Sequence, residues 1–146
     1  MQKKLILFAS ILAFSVILNS SCSKDDDDNT PAAKTKTQLI TAAAWKYEKI
    51  EPALAETYIA CFKDNTTTFT SDGKGTCPDS GVQCNPATGN FNWNFTDNET
   101  KLHLDATLIP SGSGDFTIVT LNETNLVLSQ TITSPVPATI TVTLKH

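Results

Sequence analysis

The most constraining feature of this chain is a strict alternation of polar and aromatic side chains between Asn90 and Phe95. Phe91, Trp93 and Phe95 are separated by single asparagines, and residues two apart in a β-strand point to the same face of the sheet. Rings of this size contribute most when they are buried. The alternation therefore predicts a strand with one face in the interior and the other in water.

Short β-type segments bounded by turn residues recur along the rest of the chain. Each alternates apolar and polar residues or is rich in β-branched ones, and Gly, Pro, Asn or Asp clusters separate them. The predicted strands cover residues 45–51, 66–70, 74–77, 90–95, 101–107, 115–121, 126–132 and 138–144. A short helix with Thr37 as its N-cap is expected before Trp45, whereas residues 53–60 show no decisive pattern.

Eight short strands with one helix predict an all-β protein, an eight-stranded antiparallel up-and-down barrel. The alternative is a β-sandwich. Pairing of the Trp45 strand with the last strand would distinguish the barrel from the sandwich.

The first 21 residues have the organisation of a secretory signal peptide. Lys3 and Lys4 precede an apolar run of fourteen residues from Leu5 to Leu18, and small polar residues follow. The run is shorter than the roughly 20 residues that a membrane-spanning helix needs. We therefore expect residues 1–21 to be removed.

Cys22 follows this segment directly, in a context that resembles a lipobox. The commonest lipobox has Leu where this chain has Asn19, and Leu18 lies one position earlier. The resemblance implies lipidation of Cys22, with several acyl chains such as palmitate anchoring the protein more durably than one chain. The alternative is an ordinary signal peptide followed by a structural cysteine.

Four consecutive aspartates, Asp25 to Asp28, come next. Adjacent carboxylates repel one another and stay solvated, so residues 22–36 are predicted to form a lipidated, acidic flexible tether ahead of a domain at 37–146. Ser23-Lys24 followed by acids also resembles the export signal of surface lipoproteins of Bacteroidota, which implies an outer-membrane location facing the cell surface. A tether on the periplasmic face is the alternative.

The charge of the mature chain argues against nucleic acid as a partner. After residues 1–21 are removed, nine lysines face fifteen acidic residues, a net charge of −6, and the chain has no arginine. Without arginine there is no bidentate contact to phosphate.

Three cysteines, Cys61, Cys77 and Cys84, lie in the domain behind the export signal, where disulfides persist. Any two of them could pair, and spacing alone does not choose. We favour Cys61 with Cys84, because that bond would join the segment before the first hairpin to the loop after it and stabilise the fold by about 3 kcal/mol.

No catalytic residues, metal site or cofactor are predicted. Asp64 and Asp72 flank the first hairpin and are expected to shape turns rather than to transfer protons. The chain has only two histidines, His103 and His146, and its cysteines show no CxxC spacing. The sequence therefore does not predict a zinc site.

The order of several features resembles the lipocalin-like domains of bacterial surface lipoproteins across residues 37–146. These features are Trp45, Cys61-x-x-Asp64, Phe69, Asp72-Gly73, Cys84, Gly89-x-x-x-Trp93 and Thr124-x-Leu126-Val127-Leu128. The resemblance implies the eight-stranded barrel and a bridge between Cys61 and Cys84. Lipocalins carry Gly-x-Trp in the first strand and an arginine packed over that Trp. Here Ala43 takes the Gly position, and Lys145 is the candidate for the cation.

These features together predict a non-enzymatic, lipid-anchored, monomeric barrel that binds a small apolar or amphipathic ligand in its mouth. The candidate lining residues are Trp45, Phe69, Phe91, Trp93, Phe95, Leu104 and Phe116. The same side chains are also those expected to fill a solid core. In that alternative the protein is a structural or interaction module that contacts glycan or protein through its loops, chiefly 78–89 and 109–114.

Overall fold

The computed structural model describes residues 32–53, 56–84, 89–107, 113–133 and 137–146. The signal peptide, the lipidation of Cys22 and most of the acidic tether are predictions for residues 1–31, which lie outside the described residues. Residues 85–88 and 109–112, parts of the two loops proposed to contact partners, also lie outside them.

Two helices and eight strands make up the described part of the domain. The helices are α1, Lys36–Ile40, and α2, Glu56–Lys63. The strands are β1 Trp45–Glu51, β2 Thr66–Phe69, β3 Lys74–Thr76, β4 Asn90–Thr96, β5 Lys101–Leu104, β6 Gly114–Leu121, β7 Asn125–Ile132 and β8 Ala138–Lys145.

The strands form a closed antiparallel barrel in which each pairs with the next along the chain. β8 pairs with β1, for example Tyr47 with Leu144 and Ile50 with Val142. This pairing confirms the up-and-down barrel and excludes the sandwich alternative. The most extensive ladder joins β7 to β8, with eight residue pairs from Asn125↔Lys145 to Ile132↔Ala138.

The interior is built from the inward-facing residues of the alternating strands. In β4, Phe91 and Trp93 are buried and Phe95 is half-buried, while the intervening asparagines are exposed, as the alternation predicts. The other strands contribute mainly aliphatic residues to the same cluster: Ile50, Leu102, Leu104, Leu126, Leu128, Ile140, Val142 and Leu144.

The first helix begins earlier than predicted. Its N-cap is Thr35, whose side-chain oxygen accepts a hydrogen bond from the backbone N–H of Gln38, while the Gln38 side chain accepts one from the Thr35 N–H. This reciprocal pair is a capping box, which satisfies two backbone donors at the helix start. The prediction of Thr37 as N-cap is therefore wrong by two residues, and the helix ends at Ile40 rather than near Trp45.

The second helix occupies the region where the sequence pattern is indecisive. Ile59 and Phe62 lie three residues apart, on one helix face, and both are buried. Lys63 lies in the last turn, where a cation interacts favourably with the helix dipole. Within the part of the chain that is described, neither helix is long and apolar enough to cross a membrane.

Gly75 is required by the packing of β3 against β4. It pairs with Phe91, and a Cβ atom at Gly75 would overlap the Phe91 ring. The ring therefore occupies the space that any larger residue at 75 would need.

We expect Gly75→Ala to lower the free energy of unfolding by roughly 1–3 kcal/mol, because the buried ring must move to admit the methyl group. Urea denaturation followed by tryptophan fluorescence measures this loss. Gly89→Ala is the matched control, since a Cβ at Gly89 meets no atom within 4 Å; its effect should stay within about 0.5 kcal/mol. Equal losses in the two variants would contradict the proposed contact.

Candidate functional site

The barrel has a weak seam between β1 and β2. The ladder between these strands has only two residue pairs, Trp45↔Thr67 and Lys46↔Thr66. Beyond Lys46, α2 rather than β2 packs beside β1. The register of β1 against β8 also shifts between Tyr47 and Lys49, and such a bulge bends the strand and re-aims its side chains.

A cleft of about 230 Å³ lies at this seam, between β1 and α2. We call it the seam cleft. Its lining combines apolar, aromatic and charged residues: Tyr47, Glu48, Lys49, Ile50, Ala53, Ile59 and Lys63. Ile50 and Ile59 are buried members of the main core cluster, so the apolar side of the cleft is continuous with the barrel interior.

Charged side chains border the seam cleft. Among the residues that the structure describes, they are Lys49, Lys63 and Glu48. Lys145 Nζ lies 2.8 Å from Glu48 Oε1 and neutralises that carboxylate. Lys49 Nζ lies 3.0 Å from Glu51 Oε2, with both side chains more than half exposed. Solvent-exposed pairs of this kind are weak, which leaves Lys49 able to exchange Glu51 for another anion.

A disulfide holds α2 in place over the seam. Cys61 in α2 is bonded to Cys84, with a Cα–Cα distance of 5.1 Å, which confirms the bridge implied by the family resemblance. Cys77 is buried and takes no part in this bridge. We call α2 together with residues 77–84 the cap, because the bond ties these two segments into one unit.

Asn65 joins the same two segments by hydrogen bonds, a role that no motif in the sequence indicates. Its side chain is 3% exposed. Its amide nitrogen donates to Asp79 Oδ1 at 3.2 Å, and its oxygen accepts from the Ser80 N–H at 2.8 Å. A buried amide with partners on both its donor and its acceptor side fixes the geometry around it, so Asn65 keeps the cap rigid.

The seven predicted lining residues belong to one packed cluster of buried and half-buried side chains. Phe69 makes edge-on contacts with Phe91 and Trp93, and Trp93 makes another with Phe95, at centroid distances of 5.4–5.5 Å. Trp45, Leu104 and Phe116 are at most 1% exposed. None of the seven lines the seam cleft.

Trp45 is covered by a different side chain from the one expected. The His146 ring lies over the indole with centroids 3.7 Å apart and planes inclined by 30°. The indole Nε1–H donates to the Ile40 carbonyl at 2.8 Å. Lys145 binds Glu48 instead, so the prediction that Lys145 packs over Trp45 is wrong.

Asp72 shapes the β2–β3 turn, as predicted. Its Oδ1 accepts hydrogen bonds from Thr70 Oγ1 at 2.6 Å and from the Lys74 N–H at 3.3 Å. The Thr70 hydrogen bond is the main cause of the lowered pKa of Asp72, with smaller contributions from backbone donors and from the charge of Lys74. The carboxylate is thus held ionised by its role in the turn. Among the described residues, no group of three or more His, Cys, Asp or Glu could hold a metal ion.

Comparison with known proteins gives one family. A family model described as a lipocalin-like domain matches residues 23–128, which is most of the chain and includes β1 to β6 and part of β7. No curated protein matches the sequence. The match ends before β8, the strand that closes the barrel against β1.

We expect the double variant Cys61→Ala, Cys84→Ala to lose about 3 kcal/mol of unfolding free energy, because the bond closes a loop spanning 23 residues. Cys77→Ala is the matched control, since it removes a buried sulfur but keeps the bond. Reductant should lower the urea midpoint of the wild type and of Cys77→Ala by similar amounts and leave the double variant unchanged. A reductant effect that persists in the double variant would contradict the assignment.

Proposed function

The chain belongs to the lipocalin-like domain family, and we propose that it is a non-enzymatic binding protein that holds one small amphipathic molecule in the seam cleft. The observation that carries this proposal is the interruption of the barrel between β1 and β2, where apolar core residues and lysines line the same cleft. Binding sites commonly combine an apolar lining with a few placed polar groups. The seam cleft has this composition.

The ligand expected from the lining has an anionic head and a short apolar chain. Ile50, Ala53 and Ile59 offer an apolar surface, and Lys49 and Lys63 lie at the same cleft. An alkyl carboxylate matches both features, whereas an alkyl ammonium of the same length would lie beside the lysines of the lining and gain no ion pair from them. The proposal therefore predicts selectivity by head-group charge.

The size of the cleft limits the ligand. A volume of about 230 Å³ lies below the roughly 300 Å³ at which sites for drug-sized molecules begin. It corresponds to roughly eight water volumes, so an alkyl carboxylate of about eight carbons is close to the largest that fits. In this proposal the seven packed residues, none of which lines the cleft, are not displaced by the ligand.

We further propose that the domain is attached to the cell envelope by lipid on Cys22 and faces the cell surface. The support is the sequence of residues 1–28: an apolar segment, a cysteine directly after it, and a run of aspartates. Lipid chains confer stable attachment when more than one is present. The domain itself would then act as a monomer at the membrane surface.

Ala53→Trp tests the binding site. Ala53 is exposed and lines the cleft, so an indole there should fill the space without disturbing the core. By isothermal titration calorimetry we expect octanoate to bind the wild type and to bind Ala53→Trp at least about tenfold more weakly. Octylammonium should bind the wild type several-fold more weakly than octanoate.

The control for this experiment is Val119→Trp, which adds the same ring at an exposed position of β6, outside the cleft. Its affinity for octanoate should equal that of the wild type. No octanoate binding to the wild type, or an equal loss in both variants, would contradict the proposed site.

Cys22→Ser tests the anchor. The wild type expressed in a bacterium with a lipoprotein pathway should fractionate with membranes, incorporate labelled palmitate and be digested when intact cells are treated with protease. The Cys22→Ser variant should lose the label and the membrane association. Palmitate incorporation with protease resistance on intact cells would place the anchor on the periplasmic face.

A further inference from the structure

A second concave surface lies on the outer face of β3 and β4. This depression of about 440 Å³ is lined by Lys74, Gly75, Thr76, Asn90, Phe91 and Asn92, and we call it the polar depression. It shares no residue with the seam cleft. The four polar residues are exposed, whereas Gly75 and Phe91 are buried and form the floor. Its volume falls within the range of about 300–1,000 Å³ that is usual for ligand sites.

The walls of the polar depression are held by hydrogen bonds to neighbouring strands. Asp105 accepts from the Asn92 backbone N–H at 2.7 Å and from the Asn92 amide at 2.5 Å, while Lys74 Nζ donates to the Asn92 side-chain oxygen. Thr76 Oγ1 lies 2.6 Å from Thr68 Oγ1. Side chains fixed in this way lose little freedom when they bind a ligand, which lowers the entropic cost of binding.

Asp105 is held in its charged form by these contacts. Its pKa is lowered mainly by the hydrogen bond from the Asn92 side chain, then by the bond from the Asn92 backbone. An ionised carboxylate therefore lies directly behind one wall of the depression, and the ammonium group of Lys74 lies on another.

The charges restrict the class of ligand. Lys74 and Asp105 carry opposite charges on either side of Asn92 and offset each other, so the depression has no net charge there to attract an ionic ligand. An apolar ligand would cover four polar side chains without replacing their contacts with water. What remains is a neutral molecule with many groups that both donate and accept hydrogen bonds.

Asn90 offers the ligand a side-chain amide that both donates and accepts hydrogen bonds. It lies opposite Thr76 in the β3–β4 ladder and makes no side-chain hydrogen bond within the part of the chain that the structure describes. Its amide has two N–H donors and one carbonyl acceptor, so it can pair with adjacent hydroxyl groups of one ligand.

We infer that the polar depression is a second binding site and that it takes a neutral saccharide. The site lies on paired strands rather than on loops, with Lys74↔Asn92 and Thr76↔Asn90 as cross-strand pairs. Asn90, Asn92 and Thr76 contact the sugar hydroxyls, and Lys74 and Asp105 position Asn92. The site is independent of the ligand in the seam cleft.

The test is a titration of the full domain with D-glucose, D-galactose, N-acetyl-D-glucosamine, maltose and cellobiose, followed by amide chemical shifts. Concentrations of about 10 mM detect a Kd as weak as roughly that value. We expect at least one of these saccharides to produce saturable shifts at residues 74–76 and 90–92. D-glucuronate should bind more weakly than D-glucose, because its carboxylate would lose contacts with water and gain no net opposite charge.

Asn90→Ala and Asn94→Ala form a matched pair of variants. Both residues are exposed asparagines on the outer face of β4, but only Asn90 lines the depression. Asn90→Ala should weaken saccharide binding by about fivefold to tenfold, the effect of one lost hydrogen-bonding group, while Asn94→Ala and Ala53→Trp should bind like the wild type. The amide spectrum of each variant reports whether the fold is retained.

Four results would overturn the inference, three of them with neutral saccharides or the paired variants. They are the absence of shifts with every neutral saccharide, shifts confined to other parts of the barrel, and an equal loss of affinity in Asn90→Ala and Asn94→Ala. Binding of D-glucuronate without binding of any neutral saccharide would also overturn it. None of these results bears on octanoate binding at the seam cleft.

Discussion

The backbone pairing of β8 with β1 is the contact on which the rest of the structure depends. It runs from Lys46↔Lys145 to Glu51↔Thr141 and converts a ribbon of eight strands into a closed barrel. Closure satisfies backbone groups that an open sheet would expose at its two edges. It also brings the inward faces of distant strands together, so that Trp45, the first residue of β1, is fully buried.

The number of backbone pairs differs between the ladders of the barrel. The strands that contribute most to its stability are therefore not the ones that border the proposed binding site. The β7–β8 ladder has eight residue pairs, and the β1–β2 ladder has two. Where β2 is missing beside β1, a helix takes its place, and a helix cannot continue the ladder of a strand. Regions with few backbone pairs open at the lowest free energy. A binding site at this seam would therefore lie where the barrel has the fewest backbone pairs, next to the rigid cap.

Local patterns in the sequence are sufficient to predict the strands, because the alternation of side chains is a property of each strand by itself. Helix signals are also present: Thr35 and Gln38 have the capping-box spacing, and Ile59 and Phe62 share a helical face. They are too short to fix the exact start of α1, or to reveal α2, without the structure. The seam cleft is not predictable in this way. It depends on where β2 pairs with β1 and on the bulge next to Glu48, and both follow from packing between segments that are distant in sequence.

The burial of Cys77 has a consequence for how the protein acquires its disulfide. In the unfolded chain Cys77 is only seven positions from Cys84, against 23 for Cys61, and shorter loops close at lower entropic cost. The non-native Cys77–Cys84 bond is thus the one that random encounter favours. In the folded domain Cys77 is 1% exposed. Its thiol is therefore shielded from exchange with a disulfide. The native Cys61–Cys84 bond is consequently favoured by the fold itself, because burial of Cys77 removes it as a competitor.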